Sequence, residues 1–273
     1  MKHIRYTGLW VALVWLLAAL PSSFAQIEVS LRLEHSRTIR YEPVVIEVRV
    51  RNNSGRELVL GGDEPTAQLW LEVEQGPGKM LRPQEPELVL TPWVIPAGEA
   101  DRRRFRASRV YDMRGLGPYT MWLRMEVAGR SLASNRAFLD VVPGLELQRV
   151  VGEVAPNTAK QRVYRLMTLN RDRAEHIFLR IDDEDRNVCY AVLHLGRLVR
   201  VYPPQMRVDR KHRITVLHQA APGRYFYQVF KPGGEEVTRR VYLSENPNVR
   251  LVPTEDGRYI VSGATSSSGS FTP

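Results

Sequence analysis

Apolar and polar residues alternate along most of the first half of the chain. Four stretches place an apolar side chain at every second position, namely 27–33, 44–50, 69–73 and 119–127. Successive side chains of a strand point to opposite faces, so each stretch predicts a half-buried strand with one wet face. Turn-forming residues separate the stretches, most clearly at Asn52-Asn53-Ser54-Gly55. This arrangement predicts a β-sandwich or barrel.

The second half continues in the same style. Ile177, Leu179 and Ile181 lead into the acidic stretch 182–185, and alternating apolar residues follow from Val188. Pairing Ile181 with Val188 predicts a hairpin with these apolar side chains on one face, and it places His176 and His194 on opposite faces. Residues 163–170 fit both a helix and a strand, and we favour the strand. Further strands are expected near 198–202, 213–219, 225–231 and 237–243.

Breaks in the pattern divide the chain into parts. Pro143-Gly144 separates two halves, which predicts β-sandwich domains at 26–143 and 144–246. A short hairpin extension is expected at 247–261. The Ser/Gly-rich end, 262–273, is expected to be disordered.

The N-terminus has the features of an export signal. Lys2, His3 and Arg5 precede a run of 12 apolar residues, and Ser23-Phe24-Ala25 fits the small-x-small cleavage rule. Residues 1–25 are therefore expected to be a signal peptide, cleaved before Gln26. A helix of this run spans about 18 Å, too short for a hydrocarbon core of about 30 Å. We expect a secreted or periplasmic chain that is not transmembrane after cleavage; an uncleaved anchor is the alternative.

Two short patterns open late strands of the two halves in the same way. Gly117-Pro118-Tyr119 begins one such strand, and Gly223-Arg224-Tyr225 begins the other. With these patterns, and with the stretch 111–119 followed later by Ser134-Asn135, the chain resembles secreted bacterial proteins that have immunoglobulin-like β-sandwich domains. The resemblance covers residues 26–143 well and residues 147–246 loosely.

The resemblance implies an all-β fold of two tandem immunoglobulin-like β-sandwiches. It also implies that Tyr119 and Tyr225 are structural tyrosine corners, whose hydroxyls bond to the upstream backbone. The chain departs from antibody-type domains because Cys189 is its single cysteine, so no intrachain disulfide can form. We expect Cys189 to be a small buried side chain rather than a reactive thiol.

Charge is distributed unevenly. The full chain has a formal net charge of +9. Residues 26–143 contain 17 basic and 16 acidic residues, whereas residues 144–246 contain 18 and 12, so the excess lies in the second half. In an exported protein this excess favours anionic envelope polymers or a membrane surface, and we expect no nucleic-acid partner.

No common catalytic signature occurs in the sequence. The G-x-S-x-G, H-E-x-x-H, Walker and G-x-G-x-x-G patterns are all absent, so we expect no enzyme, no catalytic residue and no cofactor. The acidic stretch 182–185 lacks EF-hand spacing and is interpreted as a solvated turn. The histidines show no zinc-binding spacing, and we expect no metal site.

The candidate binding residues fall into three groups. Trp70 and Trp122 alternate with the apolar positions of their strands and are therefore expected on the solvent-facing side. Large aromatic side chains there can stack on sugar rings or anchor a protein. Packing under a loop or against the second domain is the alternative. Two basic clusters could contact a polyanion, although a charged strand or loop is the simpler interpretation. The clusters are Arg102, Arg103 and Arg104, and Arg210, Lys211 and Arg213.

The functional expectation is an exported, non-enzymatic binding or structural protein of the cell envelope that contacts a protein or glycan partner. One alternative is an accessory module of a polysaccharide-acting enzyme, which needs titratable groups converging in a cleft. Another is an assembly chaperone or subunit that uses strand addition, which needs a long free edge strand.

Overall fold

A computed structural model describes residues 27–266, apart from residues 86, 154–160, 184 and 247. The expected all-β architecture is confirmed, since strands dominate and one short helix, α1 (Ala107–Val110), occurs among the described residues. The predicted signal peptide lies outside them. No described helix combines the length and apolar character needed to cross a bilayer.

The strands of the first half correspond closely to the alternating stretches. They are β1 (Ile27–Leu33), β2 (Arg37–Ile39), β3 (Val45–Asn52), β4 (Leu58–Leu60), β5 (Ala67–Gln75), β6 (Trp93–Ile95), β7 (Ala100–Arg106), β8 (Gly117–Val127), β9 (Arg130–Ala133) and β10 (Ala137–Val142). They form a first sheet in the order β1-β3-β7 and a second sheet in the order β2-β10-β8-β5-β4-β6, with β9 also paired to β8.

The core of the first half lies between these two sheets. Ile46, Val48 and Val50 of β3 are fully buried and share one cluster with Met121 and Leu123 of β8. Because apolar residues occupy alternate positions on both strands, each sheet directs one face inward and leaves the other to solvent. The second sheet therefore presents its outward face to solvent, and this face carries the candidate site.

The second half contains a four-stranded sheet, a five-stranded sheet and a two-stranded hairpin. Its strands are β11 (Leu145–Glu153), β12 (Gln161–Arg171), β13 (Ala174–Asp183), β14 (Val188–Arg197), β15 (Gln205–Val208), β16 (Ile214–Ala221), β17 (Arg224–Phe230), β18 (Glu236–Leu243), β19 (Arg250–Pro253), β20 (Tyr259–Ser262) and β21 (Thr265–Ser266). The third sheet has the order β11-β12-β13-β14, the fourth has the order β15-β16-β17-β18-β21, and β19 pairs with β20. The predicted strand near 198–202 is wrong, because these residues form no strand and β15 lies at Gln205–Val208 instead.

The β13–β14 hairpin forms, but its predicted register is wrong. Val188 pairs with Asp183 rather than with Ile181, and Ile181 pairs with Ala191. The register shifts twice along this ladder, once next to Ile181 and once next to Ile177. Each shift is a bulge, which adds one residue to β14 and reverses the face of everything beyond it.

The predicted disordered tail is wrong for its first residues. Ser262 ends β20, and Thr265–Ser266 form β21, which pairs with Tyr242 and Leu243 of β18. The Ser244 hydroxyl also donates to the Gly263 carbonyl oxygen at 2.7 Å. Edge pairing of this kind depends on the backbone, so composition alone does not predict it. The remainder of the tail, from residue 267, lies outside the described residues.

Buried clusters occur on both sides of Pro143-Gly144. One contains residues from Leu31 to Val141, and a second contains residues from Tyr164 to Phe230. A third, smaller cluster combines Ile39 with Met167 and Phe178, and so connects the two halves. The domain boundary at Pro143-Gly144 stays a prediction.

Asn52 fixes the turn that follows β3. Its side chain is fully buried, and its Nδ2 donates to the carbonyl oxygens of Arg56 at 2.7 Å and Ile95 at 2.8 Å. Its Oδ1 accepts from the backbone N–H of Ser54 at 3.0 Å. The side chain thus connects β3 to the turn and to the end of β6.

We expect Asn52→Ala to lower the free energy of unfolding by about 2–3 kcal/mol, because it leaves buried carbonyl groups without donors. Urea unfolding measures this difference. Asn53→Ala is the matched control, since Asn53 is exposed in the same turn. Equal stability of the two variants would contradict this role for Asn52.

Candidate functional site

The outward face of the second sheet carries both candidate tryptophans. Trp70 alternates with buried Leu69 and Leu71 on β5, and Trp122 alternates with buried Met121 and Leu123 on β8. Both tryptophans are half-buried. In the ladder Trp70 lies opposite Arg124 and Trp122 opposite Glu72, so the two rings occupy diagonal positions on one surface.

Arginine side chains hold these rings in place. The Arg124 guanidinium lies 5.0 Å from the Trp70 ring centroid, and the Arg136 guanidinium lies 4.8 Å from that of Trp122. Arg124 also lies 3.4 Å from a carboxylate oxygen of Glu72. Cation–π contacts of this kind reduce the freedom of large rings, so the face is ordered before any partner arrives.

Phe138 extends the same surface. It lies on β10 opposite Thr120 of β8, next to Trp122, and 66% of its surface is exposed. We call Trp70, Glu72, Trp122, Arg124, Arg136 and Phe138 the aromatic–arginine face. The sequence analysis missed Phe138, although its position out of phase with buried Leu139 and Val141 signals an outward side chain.

A cavity opens at one end of this face. It has a volume of about 280 Å³ and is lined by Trp70, Gly61, Gly62, Leu88 and Val89, among others. Both glycines have positive φ, and a Cβ on Gly61 would lie 2.5 Å from the Val89 carbonyl oxygen. The close approach of this backbone therefore requires glycine, and it shapes a recess beside Trp70.

The predicted cluster of Arg102, Arg103 and Arg104 does not form one surface, and its contact with a polyanion stays a prediction. These residues lie on β7, where neighbouring side chains point to opposite faces. Arg103 turns towards the core and stacks on the buried Trp93 ring at 5.2 Å. Arg102 and Arg104 are exposed, and Arg104 lies 3.9 Å from Glu47.

The cluster of Arg210, Lys211 and Arg213 forms the turn between β15 and β16. Arg213 binds the buried Asp209 carboxylate through Nε at 2.7 Å, and the same carboxylate accepts the backbone N–H of Lys211. Arg210 packs along Gly257, where a Cβ would lie 2.4 Å from Arg210 Cδ. Within this cluster, Lys211 and the end of Arg210 point to solvent. The structure does not bring the two basic clusters together.

The two tyrosines that the resemblance predicts as tyrosine corners, Tyr119 and Tyr225, lie in different environments. The Tyr119 hydroxyl donates to the Gly115 carbonyl oxygen, four residues upstream, at 2.8 Å. Tyr225 is buried in a small cluster with Leu217, Val249 and Leu251. Burial raises the pKa of both phenols, which keeps them neutral hydrogen donors at physiological pH.

The acidic stretch 182–185 contributes to structure. Asp182 is buried, and its carboxylate binds Arg165 at 2.6 Å and Arg180 at 2.8 Å. Glu184 lies outside the described residues. Burial raises the pKa of the neighbouring Cys189 thiol to about 12, so this half-buried cysteine is not a thiolate at neutral pH.

His176 and His194 lie on the same face, contrary to the sequence expectation, because the bulge next to Ile181 shifts β14 by one residue and places His194 opposite Phe178. His176 Nδ1 lies 2.8 Å from His194 Nε2. Within the described ranges, no group of three or more His, Cys, Asp or Glu side chains converges on a point that suits a metal ion.

Comparisons with known proteins do not assign the chain to a family. No protein family matches it, and no curated protein matches it. The sporulation control protein Spo0M from Bacillus subtilis is 14% identical, with 60% of this chain and 82% of that chain covered, at a TM-score of 0.28. The YadV chaperone is 12% identical, with 77% and 99% covered, at 0.23. The periplasmic chaperone SfaE is 10% identical, with 77% and 97% covered, at 0.24. TM-scores this low do not establish a shared fold or activity.

Proposed function

We propose that the chain is an exported, non-enzymatic binding protein of immunoglobulin-like β-sandwich construction, and that it contacts a partner protein of the cell envelope through the aromatic–arginine face. The observation that carries this proposal is the outward position of three large aromatic side chains on one sheet surface, where Trp70 and Trp122 are half-buried and Phe138 is 66% exposed. A structural role does not need three large aromatic side chains on the solvent side of a sheet.

The chemistry of this face suits a protein partner. Tryptophan and arginine are the residues that contribute most to protein–protein binding when they are desolvated. The surface is a sheet face rather than a cleft, whereas small molecules bind in concave sites. The cavity beside Trp70 gives one partner side chain a recess to enter. Because the rings are held by Arg124 and Arg136, little side-chain freedom is lost on binding.

A photo-crosslinking amino acid at position 138 tests the proposal in living cells. Phe138 is exposed and aromatic, so a benzophenone side chain fits its position. We expect one discrete protein adduct that falls at least tenfold in the Trp70→Ala/Trp122→Ala variant, since loss of a central aromatic costs more than about 1.4 kcal/mol of binding. Band intensity after immunoblotting measures the change.

The photo-crosslinking amino acid placed at position 237 is the matched control, because Val237 is 45% exposed on β18, away from the aromatic–arginine face. Urea unfolding checks that the double variant remains folded. The proposal would be contradicted by an adduct of equal yield at both positions, or by an adduct whose yield is unchanged in the Trp70→Ala/Trp122→Ala variant. If the chain is retained on insoluble glycan and forms no protein adduct, the partner is a glycan rather than a protein.

Strand addition is a second candidate because β14 is a long edge strand. It has ten residues, β13 is its one paired strand among the described residues, and Val188 and Tyr190 expose 41% and 42% of their surfaces. Such an edge can accept a strand from another chain. Tyr190→Lys is expected to abolish a complex formed in this way, whereas Val237→Lys is not; co-purification of the partner distinguishes the two.

A further inference from the structure

A small cavity on the outer side of the fourth sheet has a composition unlike its surroundings. It has a volume of about 160 Å³ and lies between this sheet and the β19–β20 hairpin. Its walls combine three guanidinium groups with three phenol rings, contributed by Arg213, Arg240, Arg258, Tyr227, Tyr242 and Tyr259. This cavity is separate from the aromatic–arginine face and independent of the function proposed for it.

Two of the three arginines are already neutralised. Arg213 binds Asp209 at 2.7 Å, and Arg258 binds Asp256. Arg240 is different, because no carboxylate of the described residues lies within ion-pair distance of it. In the ladder Arg240 lies opposite Tyr227. The cavity therefore contains one guanidinium whose charge is free to bind an anion.

The tyrosines form a fixed frame around this guanidinium. The Tyr227 hydroxyl donates to the Tyr259 carbonyl oxygen at 2.8 Å, which joins the sheet to the hairpin. The rings of Tyr227 and Tyr242 meet edge to face, with centroids 6.0 Å apart. Phenol rings offer an apolar surface and a polar edge, a combination that suits the faces and hydroxyls of a sugar ring.

We propose that this cavity binds an anionic sugar residue, with Arg240 on its carboxylate or phosphate and Tyr242 against its ring. Guanidinium binds both anions in a bidentate manner, and the cavity volume suits a single sugar unit. The sequence analysis considered polyanion contact at Arg210, Lys211 and Arg213 as an alternative to a charged loop. Of these residues Arg213 lines the cavity, but its charge is bound by Asp209, so the proposed contact falls to Arg240 on β18.

Isothermal titration of the full purified chain tests the proposal. The ligands are trigalacturonate for the carboxylate, galactose 6-phosphate for the phosphate, and galactotriose as the neutral equivalent. We expect binding of at least one anionic ligand and at least tenfold weaker binding of the neutral one. Arg240→Gln is expected to weaken the anionic ligand at least tenfold. Of the two anionic ligands, the one that binds identifies the charged group.

Arg239→Gln is the matched control. It removes the same charge from the adjacent residue of β18, but Arg239 lies on the opposite side of the strand and pairs with Glu236 at 2.7 Å. We expect less than a twofold effect from this variant. The proposal is overturned if neither anionic ligand binds at millimolar concentration or if both variants weaken binding equally. Inorganic phosphate binding as tightly as galactose 6-phosphate overturns the role of the sugar.

Discussion

Glu42→Gln is expected to lower the free energy of unfolding by about 3–5 kcal/mol, because it leaves a buried guanidinium without its counter-charge. The Arg171 side chain is only 2% exposed, and its Nη1 lies 2.8 Å from Glu42 Oε1. Glu42 Oε2 also accepts hydrogen bonds from Thr38 Oγ1 at 2.5 Å and from the backbone N–H of Ile39 at 3.2 Å. Urea unfolding of the variant measures the loss.

The Glu42–Arg171 pair is also the polar part of the contact between the two halves. Arg171 stacks on the Phe178 ring at 5.1 Å, and Phe178 belongs to the cluster that includes Ile39. Breaking the pair therefore weakens this contact as well. A double variant, Glu42→Gln with Arg171→Met, removes both charges and is expected to recover much of the lost stability.

Glu34→Gln is the control for this prediction, since Glu34 is an exposed carboxylate in the connection between β1 and β2. It is expected to change stability by less than about 0.5 kcal/mol. A loss of similar size in both single variants, or no recovery in the double variant, would contradict the role assigned to the pair.

The second large effect is a loss of stability in mild acid, due to His218. This side chain is 1% exposed and meets the Phe226 ring edge to face, with ring centroids 5.6 Å apart. Burial, with a smaller contribution from His194, lowers its pKa to about 3. The unfolded chain therefore binds a proton below about pH 6.5 that the folded chain does not.

The sign of this effect follows from the lowered pKa. Stability from neutral His218 is fully present above about pH 6.5 and declines as the pH falls towards 3, by about 4 kcal/mol over that range. Urea unfolding at pH 7, 5.5 and 4.5 measures the decline. His218→Leu has no group to titrate and is expected to remain within about 1.5 kcal/mol of the parent at pH 7.

The His218→Leu variant should show a clearly smaller decline between pH 7 and 4.5 than the parent chain. His212→Asn serves as the control, because His212 lies in a turn at φ +58, which asparagine tolerates. An identical pH profile for the parent and His218→Leu would show that other groups cause the decline.

The alternation of apolar and polar residues predicts the strands and their buried faces correctly where one face of the strand meets solvent. The runs around β3, β5 and β8 each bury every second residue, and the structure follows the sequence there almost residue by residue. The all-β class and the outward positions of Trp70 and Trp122 follow from that pattern alone.

The pattern failed where backbone irregularities or a second buried face intervene. Phe178 and Leu179 are neighbours on β13, yet both are fully buried, each in a different cluster. The bulges in β14 insert residues that leave no mark on composition, so the register and the approach of His176 to His194 could not be predicted. Arg103 shows the same limit, because its partner Trp93 comes from a different sheet.

The β19–β20 hairpin decides where the chain can be divided. Val249 and Leu251 lie over Leu217 and Tyr225 on the outer side of the fourth sheet. A fragment that stops at residue 246 would leave this apolar patch uncovered, and such a patch promotes self-association. Separate expression of the second half therefore requires a C-terminus beyond Ser266, so that the β19–β20 hairpin that covers the patch and the edge strand β21 both remain with the sheet.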